Sequence, residues 1–208
     1  MKNSLNLSAA ERKAFGLTFQ DGLWDIFIGL MMLQFVIAPL LSDLGWGDFW
    51  SSFALLPIYL LALLGMLNLK KTVTAPRVGL VKYHQQRVKK ISKLIIVLTV
   101  ILFLGLIFGL IFFVVDNIND WFFPIAFSVI VLISFGSAVY FLDFPRLFFY
   151  GILTALSPLV GQFLYISWGA AHHGFPITFG FSGAVMITIG VYLFIRFLID
   201  YPLPDQGD

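Results

Sequence analysis

The chain has 208 residues, of which 60% are hydrophobic and 12% are charged, and it contains no cysteine. This composition leaves too little polar surface to cover a soluble globule. The lack of cysteine excludes disulfides, thiolate metal ligands and cysteine nucleophiles. The formal net charge of +2 gives no sign of nucleic-acid binding. We therefore expect an integral membrane protein.

Six apolar runs each approach the roughly 20 residues that a helix needs to cross a hydrocarbon layer about 30 Å thick. They cover residues 23–42, 49–68, 94–115, 121–142, 147–168 and 177–199. The sequence thus predicts an all-α membrane protein whose six transmembrane helices form one domain over residues 1–208. Before the first span, Ser8 and Glu11 have the spacing of a capping box, which predicts a short amphipathic helix at the membrane interface within residues 1–22.

The first apolar run begins about twenty residues into the chain, after a polar stretch. It is also long enough to remain in a membrane as an anchor. A secretory signal peptide has a shorter apolar core that follows a short basic region. We therefore expect the first run to be a transmembrane helix and not a cleaved signal.

All thirteen Lys and Arg residues fall on one side of such a six-helix arrangement. The connections after the first, third and fifth spans carry acids or histidines and no base: Asp43, Asp48, Asp116, Asp120, His172 and His173. Lys and Arg concentrate in cytoplasmic segments, so both termini are predicted in the cytoplasm and the protein in the cell membrane. Tryptophans at the span ends, Trp46, Trp50, Trp121 and Trp168, support the boundaries.

The connection at residues 69–93 holds eight bases between Lys70 and Lys93. Residues 71–83 include β-branched side chains around Pro76 and Gly79, which predicts a small turn or hairpin. From His84 onward the composition is helical and is expected to extend the third span. The bases either set the orientation or bind anionic lipid headgroups or a partner protein. The candidate lipid-binding residues are Lys82, Arg87, Lys89, Lys90 and Lys93.

The fourth and sixth spans share a similar start. One begins Phe123-Pro124-Ile125-Ala126-Phe127 and the other Phe175-Pro176-Ile177-Thr178-Phe179, and both end near an acid and a proline. This pattern suggests that spans three and four and spans five and six are duplicated two-helix hairpins. The alternative is chance similarity between helices rich in phenylalanine.

The fifth span carries its polar and backbone-loosening residues on one stripe: Thr154, Ser157, Pro158, Gly161, Gln162 and Tyr165. Their spacing places them on one helix face, which must contact protein or water. Thr154, Ser157, Gln162 and Tyr165 are the candidate ligand-binding residues. The alternative is close helix packing, which small and hydroxylated residues favour. Gly180, Gly183 and Gly190 also predict close packing for the sixth span, and Gly105 with Gly109 offers the third span a packing motif.

Ionisable residues recur near the predicted inner boundary: Asp21, Asp25, Asp143, Arg146, Arg196 and Asp200. Asp25 and Arg196 lie about one turn inside the apolar limits, where an unpaired charge is costly. Asp25, Asp143, Arg146, Arg196 and Asp200 are therefore expected to form a structural ion-pair ring. The alternative is a gate or a proton-coupling cluster.

Catalytic patterns give little support for an enzyme. Gly180-Phe181-Ser182-Gly183 resembles the nucleophile motif of rhomboid intramembrane proteases, but no histidine follows it. His172 and His173 are adjacent and rarely share one metal, so no metal or cofactor is expected. Two functions remain. One is the binding or transport of a small solute or lipid at an intramembrane site, and the other is a regulatory or assembly subunit of a membrane complex or homo-oligomer.

Overall fold

The structure is a computed structural model that describes residues 16, 19–78, 85–114 and 119–203. The regular structure in these ranges is helical. We number its α-helices α1 (Leu23–Met32), α2 (Gln34–Leu41), α3 (Asp48–Phe53), α4 (Leu55–Leu69), α5 (Ala75–Val78), α6 (Gln85–Val114), α7 (Phe122–Leu142), α8 (Arg146–Trp168) and α9 (Phe175–Asp200). Wide π-type turns occupy Ser42–Trp46 and Lys70–Thr74, and a 3-10 turn occupies Ala171–Gly174.

Six segments of the described chain are long and apolar enough to cross a membrane. They are Leu23–Trp46, Phe49–Val78, Arg87–Leu110, Phe122–Leu142, Arg146–Trp168 and Ala171–Asp200. The prediction of an all-helical, multi-pass membrane protein is confirmed at this level. The orientation of the termini and the duplication of hairpins stay predictions. The interfacial helix around Ser8 and Glu11 lies outside the described residues.

The predicted turn or hairpin at residues 71–83 is wrong for the part that the structure describes. The second span continues as a π-type turn over Lys70–Thr74 and as helix α5 to Val78. A π-type turn widens the backbone bonding pattern, and Pro76 enters the helix just after this change, where its missing N–H does least harm. Residues 79–84 lie outside the described chain.

The helices group into two units, one of residues 1–84 with 183–208 and the other of residues 85–182. In the first unit, α1 contacts the later part of α9 through two glycine pairs. A Cβ added at Gly190 would lie 2.8 Å from the carbonyl oxygen of Gly22, and one added at Gly183 would lie 2.9 Å from that of Gly29. The prediction that Gly183 and Gly190 support close packing is confirmed, because only glycine fits at these contacts.

In the second unit, α7 and α8 pack closely along their length. The Ser128 hydroxyl donates to the carbonyl of Ala155 across the helix pair at 2.6 Å. Gly151 faces Phe135, where an added Cβ would lie 2.7 Å from the Cβ of that phenylalanine. Tyr150 is completely buried. By contrast, an added Cβ at Gly105 or Gly109 of α6 would meet no described atom within 4 Å, so no described helix packs closely on this motif.

Candidate functional site

A groove of about 380 Å³ runs between the middle of α8 and the first turns of α9 within the second unit. Leucine, isoleucine, valine and phenylalanine side chains form its walls. The polar groups that line it are three hydroxyls, those of Ser157, Thr178 and Ser182. This combination of apolar walls and a few fixed polar groups is typical of small-molecule sites.

Two helices place these hydroxyls together. Ser157 belongs to the polar stripe of α8, and Thr178 and Ser182 are four residues apart on α9, so both lie on the same face of that helix. The Oγ atoms of Ser157 and Ser182 lie 2.9 Å apart. The Ser157 and Ser182 side chains are 3% and 2% exposed, respectively. The groove therefore carries a tightly bonded hydroxyl pair.

The hydroxyls also bond to backbone carbonyls. Ser157 donates to Leu153 at 2.9 Å, and Ser182 lies 3.4 Å from the same carbonyl oxygen. Thr178 donates to Gly174 at 3.3 Å. Such bonds to the preceding turn are the usual way for a serine or threonine inside a helix to satisfy its hydroxyl.

One end of the α8–α9 pair is fixed by backbone contact. Gly174 has a positive φ of 65°, and a Cβ added there would lie 2.6 Å from the carbonyl oxygen of Gly161. A Cβ at Gly161 would in turn lie 2.7 Å from the carbonyl oxygen of His173. His172 and His173 adopt the left-handed conformation as well. Two glycines thus allow the turn between α8 and α9 to lie directly against α8.

Next to this contact, the Oε1 atom of Gln162 lies 3.0 Å from Nδ1 of His173. Gln162 is 1% exposed, and its Nε2 atom has no hydrogen-bond partner in the described structure. The His173 ring also packs on Tyr165, with the ring centroids 4.4 Å apart. The turn is thus joined to α8 by a hydrogen bond and by ring packing.

The predicted stripe of α8 is mostly buried. Thr154, Ser157 and Gln162 are each at most 3% exposed, and Pro158 and Gly161 are also buried. Tyr165 departs from the prediction, because it is 42% exposed and packs against the His173 ring instead of entering the groove. Ligand binding by the other three candidates stays a prediction, and of these only Ser157 lines the groove.

A second polar site lies in the first unit. The Oδ2 atom of Asp21 accepts a bond from Nζ of Lys70 at 2.6 Å and one from the Thr74 hydroxyl at 2.9 Å. Its Oδ1 atom accepts the N–H of Leu23 at 3.2 Å. Asp21 is fully buried, and these contacts join the start of α1 to the π-type turn that follows α4.

The five residues of the predicted ion-pair ring have different surroundings. Asp25 is fully buried and attracts Lys70 electrostatically. Arg196 is 64% exposed and binds Asp200, four residues later, at 3.3 Å. Arg196 and Asp200 therefore pair within their own helix. Arg196 thus uses its charge at the surface, in its pair with Asp200.

In the second unit, Asp143 lies in the turn between α7 and α8, and Arg146 is the first residue of α8. Asp143 pairs with Arg87 at 2.7 Å, and the Arg146 guanidinium lies over the Phe144 ring, 5.0 Å from its centroid. A single ring of all five predicted residues draws on both units and stays a prediction.

The candidate lipid-binding residues also separate into groups. Arg87 is 9% exposed and bound to Asp143, so its charge is used inside the protein and it does not belong to a headgroup-facing set. Lys89, Lys90 and Lys93 are exposed on α6. Lys82 lies outside the described residues.

Sequence reasoning missed Thr178 and Ser182 as residues that line the groove, and His173 as the partner of Gln162. Thr178 and Ser182 carried a usable signal, since two hydroxylated residues four apart in an apolar helix mark a polar face. Lys70 was counted among the loop bases. Lys70 follows an apolar run and lies at the same predicted depth as Asp21. An ion pair between the two could have been inferred from this position.

Comparison of this chain with protein-family models, with curated proteins and with solved structures finds no match.

Proposed function

We propose that this protein binds a small lipid-soluble molecule, a solute or a lipid, in the groove between α8 and α9. The observation that carries the proposal is the groove itself, with apolar walls and the hydroxyls of Ser157, Thr178 and Ser182. Its volume of about 380 Å³ lies within the ~300–1,000 Å³ range of small-molecule sites. Transport of the bound molecule is the further step that this function allows.

The rim of the groove is open to the surroundings of the chain. Phe181 is 66% exposed and Val160 is 46% exposed. Both belong to apolar segments long enough to cross a membrane. A molecule dissolved among the acyl chains would thus reach the groove sideways, without first crossing water.

One of the groove hydroxyls, that of Ser157, lies deep in its predicted span. Ser157 is eleven residues from each end of the segment Arg146–Trp168, which places it near the middle of the hydrocarbon layer. Water is scarce at that depth, so a ligand polar group gains more from a hydrogen bond there than at the surface. The hydroxyls would therefore orient the ligand, and the apolar walls would hold its body.

The test is photo-crosslinking with an alkyl probe that carries a diazirine, applied to the purified protein in lipid nanodiscs. We expect labelled peptides from α8 and the start of α9. Val160→Trp should fill the groove and reduce this labelling several-fold. Ile166→Trp is the matched control, because Ile166 lies on the same helix, is 54% exposed and does not line the groove. Equal labelling of both variants would reject the proposal.

The proposal places the protein in the cell membrane with both termini in the cytoplasm. The distribution of all thirteen bases to one predicted side supports this orientation. The proposed function involves neither a cofactor nor catalysis.

The second candidate function is a non-transporting regulatory or assembly subunit that uses the basic connection at residues 69–93. The observation that favours it is the exposure of Lys89, Lys90 and Lys93 at the start of α6. Clustered bases beside a membrane span attract anionic headgroups, at about 1 kcal/mol per residue near the surface. The two functions use different surfaces and are separately testable.

A further inference from the structure

The hydrogen-bonding state of the groove hydroxyls restricts what the groove can bind. A serine or threonine hydroxyl has one hydrogen to donate and two lone pairs to accept with. Ser157 donates to the carbonyl of Leu153 at 2.9 Å, and Thr178 donates to that of Gly174 at 3.3 Å. Two of the three hydrogens are thus used within the helices.

The third hydrogen also has a partner inside the protein. Since Ser157 uses its hydrogen on Leu153, Ser182 is the donor across the 2.9 Å contact between the two Oγ atoms. In the alternative arrangement Ser157 donates to Ser182, which then donates to Leu153 at 3.4 Å. Both arrangements keep the two serine hydrogens within the protein and leave lone pairs unused.

We infer that the ligand of this groove is a neutral amphiphile that donates a hydrogen bond, through a hydroxyl or an N–H group on an apolar body. The inference rests on the proposed function and specifies its ligand. The paired hydroxyls present an unused lone pair to a ligand that donates a hydrogen bond. This acceptor is already in position, and the bond between the two hydroxyls already polarises it. No Lys or Arg lines the groove in the described structure, so nothing there favours an anionic headgroup.

A ligand that can only accept a hydrogen bond, such as an ether or an ester, interacts with these hydroxyls more weakly than a ligand that donates one. To bond with it, Ser182 must turn its hydrogen away from Ser157 or Leu153, so one bond replaces another. A ligand that donates instead adds one hydrogen bond, and every hydrogen bond within the protein is kept. One net hydrogen bond corresponds to roughly a 3- to 10-fold difference in affinity.

The experiment is competition against the photoreactive alkyl probe in nanodiscs. A long-chain alcohol and its methyl ether, matched in chain length, are titrated as competitors. We expect the alcohol to compete roughly 3- to 10-fold better with the wild-type protein. The double variant S157A/S182A should remove this preference. Ser137→Ala should keep it, since Ser137 bonds within α7, away from the groove.

A second competitor pair distinguishes a lipid from a single-chain solute. It consists of diacylglycerol and its acetylated form, in which the free hydroxyl is blocked. Preference for the free hydroxyl in both pairs identifies a lipid source, and preference only in the alcohol pair identifies a single-chain ligand.

An ether that competes as well as the alcohol with the wild-type protein overturns the inference, as does a double variant that keeps the full preference. The wild-type titration decides even if the double variant fails to fold. Both of these outcomes leave probe labelling of the groove intact. Absence of groove labelling by the probe is a different result, and it rejects the proposed function.

Discussion

The Nζ atom of Lys70 lies 2.6 Å from Oδ2 of Asp21, although 49 residues separate the two in sequence. Asp21 is fully buried and the Lys70 side chain is 16% exposed. The pair joins the start of the first span to the π-type turn of the second, and the Thr74 hydroxyl completes it. The contact holds these two segments together.

The stability losses from removing Lys70 and from removing Asp21 should be less than additive. Lys70→Met leaves the buried Asp21 carboxylate without its ion-pair partner, and such single changes typically cost about 3–5 kcal/mol. The double variant Lys70→Met with Asp21→Asn should lose less than the sum of the two single losses. Thermal unfolding in detergent measures all three variants.

The control for this cycle is Arg196→Gln. The Arg196–Asp200 pair is more than half exposed on both sides, and such pairs contribute little to stability. Its loss should change the unfolding temperature very little. Strictly additive losses at Lys70 and Asp21 would show that the pair is not energetically coupled.

Adding one methyl group to a glycine should have opposite effects in α9 and α6. In Gly190→Ala the new Cβ would lie 2.7 Å from the backbone nitrogen of Ile26, so α1 must move away. Overpacking of this kind costs about 1–3 kcal/mol. In Gly105→Ala the Cβ meets open space, and alanine should stabilise the helix by up to ~1 kcal/mol.

Unfolding of the two glycine variants in the same detergent measures this difference. Gly183→Ala should behave like Gly190→Ala, and Gly109→Ala like Gly105→Ala. A large loss of stability in Gly105→Ala would mean that this face of α6 is covered in the membrane, for instance by a second copy of the chain.

The six spans were predictable because a continuous apolar run of membrane length has few other interpretations. The buried stripe of α8 was predictable for a related reason, since Gln162 and Ser157 have no place against lipid. The partners of buried polar residues were not predictable. Ser182 meets Ser157, and Asp143 meets Arg87, through helix rotation and tilt, which composition does not determine. Tyr165 satisfies the helical spacing but lies one turn beyond the buried part of its stripe.

The exposed lysines of α6 and the buried Arg87 should have different functions. Changing Lys89, Lys90 and Lys93 together to Gln should reduce the anionic lipid that stays bound to the purified protein and leave stability unchanged. Arg87→Gln should instead reduce stability, because it breaks the partly buried ion pair with Asp143. Native mass spectrometry and thermal unfolding measure the two properties. Unchanged lipid retention in the triple variant would argue against an anionic-lipid surface.

The orientation of the spans is testable by cysteine labelling, since the chain has no cysteine of its own. A membrane-impermeant maleimide added outside intact cells should label a cysteine at Asn117 or at Trp168, which is 79% exposed. A cysteine at Gly79 should react only after the membrane is opened. Gly174 is a poor labelling position, because an added Cβ there clashes with Gly161. The reverse labelling pattern would overturn the predicted orientation.

Gln162 and His173 should respond to substitution with opposite signs. One atom of the Gln162 amide bonds to His173 and the other is buried without a partner. An unsatisfied buried polar group costs about 1–3 kcal/mol. Gln162→Leu removes that group and keeps most of the volume, while the exposed His173 regains water. The variant should be as stable as the wild type or more stable.

His173→Leu has the opposite effect, because it leaves both atoms of the buried Gln162 amide without a partner and should destabilise the protein by about 1–3 kcal/mol. His172→Leu, at the neighbouring position of the same turn, is the matched control and should change stability less. Thermal unfolding of the three variants in detergent shows directly whether each substitution raises or lowers stability. A marked loss of stability in Gln162→Leu would mean that the amide nitrogen is bonded in the membrane, to water or to a ligand that extends beyond the groove.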